Sequence, residues 1–193
     1  SRIIREHIIG VAALLDRESL GHMQTVPSGH MAKGQSTILV AYGSNSGNTR
    51  LVAGRIGARL EQHGFSVTVK DIYRMKPSEL QGYDVVVFGS CTWSRWVDGQ
   101  ELEAQLPEHV HRFAEAAAET PLPGTRFAIF ALGRHEYNGF AGAANHLEIL
   151  VHKLGGPLLL EPFKFDGFPQ RRLETVDEWA DQLAAAIAQP TPA

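Results

Sequence analysis

The chain carries a single cysteine, Cys91, among 193 residues. One thiol can form no intramolecular disulfide and no cysteine-cluster metal site, and such sparse use suits a reducing cytoplasm. No apolar stretch approaches the roughly 20 residues that a membrane-spanning helix requires. The 18 Lys and Arg against 21 Asp and Glu leave a formal net charge of −3 and form no basic cluster, which weighs against nucleic acid as a partner. Two familiar phosphate-binding patterns are also missing. No Lys follows Gly47, as a nucleoside-triphosphate loop requires, and no G-x-G-x-x-G occurs. Internal repeats and low-complexity linkers are absent too.

At 44% hydrophobic residues, the chain is long enough for one packed domain. Residues 1–36 differ from the rest. The chain opens at Ser1, and Gly-His-Met occurs at both 21–23 and 29–31, a pattern that cloning sites leave behind. Ile4, Ile8, Val11 and Leu15 are spaced as one face of an amphipathic helix. Arg5, Glu6, Asp16 and Arg17 interrupt it, so it is no secretory signal. The expectation is either a vector- or fusion-derived leader, with Met31 the original start, or a native docking helix through which the chain could oligomerise.

From Thr37 to the end, 37–193, apolar runs and helical stripes alternate. Ile38–Ala41 reads as a buried strand, followed by a helix over Asn48–His63 that buries Val52, Ile56 and Leu60 and stops at Gly64. Phe65, Val67 and Val69 alternate with polar residues as in an edge strand. Asp84–Gly89 and Arg126–Ala131 are apolar throughout, as central parallel strands are. Helices are expected over 108–119, along Leu147, Leu150, Val151 and Leu154, and along Leu173, Val176, Ala180, Leu183 and Ile187. A last strand is expected over Leu158–Phe165. Five strands with right-handed crossovers make a doubly wound α/β sheet, whose ligands bind beyond the carboxyl ends of the strands. Asp177, Glu178 and Asp181 read as the wet face of the last helix. His109 and His111, two apart on a helix, face different ways and make a poor metal pair.

Three loops then carry the chemistry. Ser44-Asn45-Ser46-Gly47-Asn48-Thr49 follows the first strand and opens a helix, offering hydroxyls, amides and the helix dipole to a phosphate. The plainer reading is an ordinary capped helix start, since Ser, Asn and Thr all cap well. Ser90-Cys91-Thr92-Trp93-Ser94-Arg95 follows the central strand and places the broad π-face of Trp93 at its carboxyl end. Alternatively, Trp93 or Trp96 packs between loop and helix. Cys91 reads as a spacer, because no His or Lys adjoins it to activate the thiol. The third loop, after the fourth strand, holds Gly133, Arg134, His135, Tyr137, Asn138 and Phe140.

These loops, in this order and after these strands, resemble the flavodoxin family. The first is similar to its T/S-x-T/S-G-x-T phosphate pattern, the second to G-C-S-T-W-G-D, the third to G-x-x-x-Y-x-x-F-x-G. The resemblance runs from about Thr37 to Gln189, and the spacing late in the chain matches the short-chain type. It implies a flavodoxin-like five-stranded parallel sheet of order 2-1-3-4-5. It also implies FMN as cofactor, with all eighteen of the loop residues just named as its candidate ligands. Trp93 and Tyr137 would cover the two ring faces. The implied function is electron transfer between a reductase and a redox acceptor in transient encounters, with no catalytic residue and no metal. The alternatives are an FMN-dependent NAD(P)H quinone or azo reductase, or the FMN module of a larger diflavin reductase or fusion.

Two departures from the family pattern carry expectations. Ser94 stands where the family has a Gly whose peptide flips on one-electron reduction. A serine enters the left-handed region at about 1 kcal/mol more, so the one-electron-reduced flavin should be less stabilised. Arg95, Arg134 and His135 stand where the family crowds acidic residues, which implies a less negative potential for full reduction.

Overall fold

A computed structural model of the chain describes residues 35–189. The expectations placed on the leader therefore lie outside the described residues, except at Gln35 and Ser36. Thr37–Gly43 (β1), Val85–Cys91 (β3) and Arg126–Gly133 (β6) form the middle of a five-stranded, all-parallel sheet. Ser66–Asp71 (β2) and Phe163–Asp166 (β7) are its edges, and the order is β2-β1-β3-β6-β7. This is the expected 2-1-3-4-5 order once two further strands, which stand apart, are left out of the count.

Period-two alternation explains why the middle strands read as unbroken apolar runs. Leu39 and Ala41, Val86 and Phe88, and Phe127, Ile129 and Ala131 face one core; Ile38 and Val40, Val85 and Val87, and Ala128, Phe130 and Leu132 face the other. Glu108–Ala117 (α2) and Ala143–Leu154 (α3) cover the first face with Val110, Phe113, Leu147 and Leu154. Asn48–Gln62 (α1) and Leu173–Ala188 (α4) cover the second with Ile56, Leu60, Val176, Trp179 and Leu183. Side chains as fully buried as Phe88 or Leu147 contribute roughly 1.5–3 kcal/mol each.

Three expectations are corrected. The last strand does not run through Leu158–Phe165: Leu158 makes an isolated bridge to Phe127, and β7 begins only at Phe163. Pro162 intervenes, with no N–H to give to a ladder. The acidic residues of α4 are not simply wet. Asp177 takes a two-pronged bond from Arg55, at 2.6 and 2.5 Å. Asp181 takes another from Arg59, at 2.7 and 2.9 Å, and meets His63 at 2.7 Å. These pairs tie α4 to α1. Lastly, the segment after β3 is not a loop. Trp93–Val97 (β4) and Gln100–Gln105 (β5) form an antiparallel hairpin, turning at Asp98-Gly99 with φ of 49° and 78°. Two positive φ values in a two-residue turn match the hand of the hairpin twist.

Candidate functional site

Because β1, β3 and β6 are neighbours, the loop after β1, the hairpin after β3 and the loop after β6 emerge side by side at one end of the sheet. The first loop ends at Gly47, whose φ of 88° lies in the left-handed region and which precedes the first turn of α1. No side chain caps this helix, and its first turn holds no acidic residue. Ser44 Oγ accepts from Gly47 N at 3.0 Å, and the Asn48 side chain accepts from Gln170 at 2.9 Å, so neither caps it. The reading as an ordinary capped start thus gives way. The amides of the first turn have no intrahelical acceptor, and they meet the helix's positive end beside the exposed Asn45 and Ser46.

Behind the loop, Thr49 is buried and its hydroxyl meets the Cys91 thiol, which also bonds the Asn45 backbone. Burial pushes that thiol's pKa up, the reverse of what a nucleophile needs. Cys91 joins β3 to the first loop. Ser90 is wholly buried and gives its hydroxyl to the Cys91 carbonyl at 2.9 Å.

The hairpin and the third loop enclose a cavity of about 590 Å³. Thr92, Trp93, Ser94 and Trp96 line one side, with Glu101, Glu103 and Ala104; Gly133, Arg134 and Glu136 to Ala141 line the other. Trp93 is 52% exposed, Trp96 72% and Tyr137 65%, so neither tryptophan packs between loop and helix. Large rings left open to solvent in one concavity suit a flat apolar ligand. Ala104 holds a φ of 59°, and a Cβ at Gly139 or Gly142 would fall 2.3 or 2.6 Å from the Ala104 methyl. Only glycines let this wall approach the third loop. His146 on α3 bonds the Ala104 backbone from behind, and burial above all lowers its pKa. Thr92 Oγ accepts from Ala143 N at 3.2 Å, fixing the root of the hairpin on α3.

The charges fall differently from the expectation. Arg95 turns away from the cavity to Glu108 at the start of α2, 3.0 Å from Nε. His135 stacks on Phe140 and pairs with Asp166 at 3.0 Å, while its N–H donates to the same carboxylate. Arg134 does line the cavity, but Glu136 holds it at 2.5 Å. Glu101 and Glu103 add two carboxylates from β5. A net basic lining is therefore overturned: the cavity wall carries three carboxylates and one compensated guanidinium. In β4 the adjacent Trp96 and Arg95 face opposite ways, and the register irregularity between Trp93 and Arg95 lets Trp93 line the cavity as well.

The structure thus gathers Ser44 to Thr49 at one helix start. It gathers Thr92, Trp93, Ser94, Gly133, Arg134, Tyr137, Asn138 and Phe140 around the cavity, whose lining includes none of the first loop's residues, and leaves Ser90, Cys91, Arg95 and His135 in supporting positions. Sequence reasoning missed Trp96, Glu101, Glu103 and Ala104. The Asp98-Gly99 pair between apolar-bearing segments was the available signal.

Comparison with known proteins shows the family to which this fold belongs. The family model described as Flavodoxin matches residues 40–179. A flavodoxin of Nitratidesulfovibrio vulgaris is 31% identical over 79% of this chain and 99% of its own length. The crystal structure of oxidised Flavodoxin 2 from Bacillus cereus superposes with a TM-score of 0.67 at 29% identity, covering 78% of this chain and 99% of that one. An NADPH-dependent diflavin oxidoreductase of Emericella nidulans is 32% identical over 61% of this chain, but over only 17% of that protein. The chain belongs to the flavodoxin family. It binds FMN and transfers electrons.

Proposed function

We propose that this member of the flavodoxin family holds the FMN phosphate with the uncapped amides and hydroxyls of Ser44, Asn45, Ser46, Gly47, Asn48 and Thr49. Its ring would lie in the cavity between Trp93 and Tyr137, with Thr92, Ser94, Gly133, Arg134, Asn138 and Phe140 around its edges. Ser90, Cys91, Arg95 and His135 support this shell from behind. When bound, FMN supplies the redox chemistry; the protein binds it, orients it and sets its electrostatic surroundings. The observation that supports the assignment is an uncapped α1 terminus at the same end of the sheet as a cavity lined by two exposed rings.

The chain serves as a carrier between a reductase and an acceptor, meeting each through a small, brief interface, in a reducing cytoplasm that suits its unpaired Cys91. No helix among the described residues is long and apolar enough to cross a membrane. The match to part of a diflavin oxidoreductase favours a second reading, an FMN module within a larger reductase.

An absorption-monitored titration of the apoprotein with FMN and with riboflavin tests the site. Tight FMN uptake with much weaker riboflavin uptake is expected, and equal affinities would remove the phosphate assignment. Reduction by NADPH only after a separate reductase is added would support the carrier, whereas turnover without one would favour an enzyme.

A further inference from the structure

We propose that Phe168 is a positioning residue for the flavin site: it seats the Arg134 guanidinium, which in turn seats the ring of Tyr137. This deepens the reading of Tyr137 as one wall of that site and rests on it.

Phe168 follows β7 and belongs to neither core, yet its ring is 48% exposed. Its backbone is extended, with φ −97° and ψ 115°, as the residue before Pro169 must be. Pro169 is buried, so this extended link is anchored on its far side. Two guanidiniums lie over the ring, Arg134 at 5.3 Å and Arg171 at 5.9 Å from its centroid. Arg134 is also 5.6 Å from the Tyr137 centroid. Tyr137, Arg134, Phe168 and Arg171 therefore alternate aromatic ring and cation from the cavity outward.

The loop's backbone is tied down near its root, by Gly167 N to Gly133 O at 3.0 Å and His135 N to Asp166 at 3.1 Å. The Tyr137 side chain makes no hydrogen bond among the described residues, and the guanidinium is the polar group set over its ring. A planar guanidinium can stack on two rings at once, which an ammonium cannot match. Glu136 offsets its charge at 2.5 Å, so Arg134 acts by orienting the ring more than by its field.

The test uses the full chain as apoprotein, titrated with FMN by fluorescence. Phe168 is half exposed, so its replacement leaves both cores untouched. Phe168→Ala is expected to weaken FMN binding about 3- to 10-fold, the span of one partly exposed cation–π contact. Phe168→Tyr should restore affinity to within about twofold, since the ring face is kept. Arg134→Lys should behave like Phe168→Ala. A role through Tyr137 also requires non-additivity: Phe168→Ala placed on Tyr137→Ala should weaken binding no further. Unchanged affinity in Phe168→Ala, or losses that multiply with those of Tyr137→Ala, would overturn the clamp and leave the flavin site standing. Wild-type protein that takes up no FMN would overturn both.

Discussion

The two halves of the proposed site are built in opposite ways. The phosphate loop is local: six consecutive residues, a left-handed Gly47 and the start of α1, backed by the buried Thr49. The ring cavity is assembled from β4, β5 and the loop after β6, and its principal walls stand open to solvent. On the proposed assignment, the phosphate would be held largely by backbone amides that mutation cannot remove, whereas the ring would be held by side chains that mutation can.

The sharpest way to break this contrast is to pair Trp93→Ala with Gly47→Val. Losing an aromatic face should remove about 1–3 kcal/mol from FMN and riboflavin alike. Forcing a branched residue to a φ of 88° should cost about 1–2 kcal/mol, felt by FMN and hardly by riboflavin. Parallel titrations with the two ligands read the difference; identical selectivity in both variants would erase the division. Next, Ser94 lies in β4 outside the left-handed region, and entering it on reduction would cost a serine about 1 kcal/mol more than a glycine, so Ser94→Gly should raise the maximal yield of one-electron-reduced flavin several-fold. Equal yields in anaerobic titrations of both proteins would exclude it.

Electrostatics sharpens the comparison further. Glu101→Gln with Glu103→Gln removes two carboxylates from the cavity wall. The potential for full reduction should become less negative by tens of millivolts, shrinking as salt is added. A potential unmoved at low salt would place these groups away from the flavin. The smallest effect belongs to the scaffold. Arg59, and after it His63, hold the Asp181 carboxyl well below the usual carboxylate range. A depressed pKa stabilises the fold fully above the unfolded value of about 3.9, and this stabilisation is lost as pH falls from there through the lower folded value. Asp181→Asn should therefore lower Tm modestly near neutral pH and not at all in strong acid. A gap that does not shrink as pH is lowered from neutral through about 4 into strong acid would rule out the ion pair as its source.

Much of this was legible in the residues. Short runs rich in β-branched residues, such as Val85-Val86-Val87-Phe88, read as strands buried on both faces, and Gly64 and Gly155 stop their helices as such residues do. The hairpin was not read as one, because Trp93–Gln105 mixes charged and aromatic residues without clean alternation and lies on no core. Its Asp98-Gly99 turn was the one local clue. The partners of Arg95 and His135 were beyond reach for a different reason. Glu136 is close in the chain, but Glu108 and Asp166 arrive from other elements. A charge's meaning depends on which neighbour neutralises it.

The layered α/β sheet, the hydroxyl-rich loop that opens α1 and the aromatic residues after the strands were legible in the sequence alone, because periodicity, helix starts and aromatic residues after strands are written within a few consecutive positions. Only the tertiary structure decided the sign of the cavity's charge, the hairpin that forms its wall and the salt bridges that lock α1 to α4. Those depend on pairings across the chain, such as Arg55 with Asp177, that no local pattern encodes.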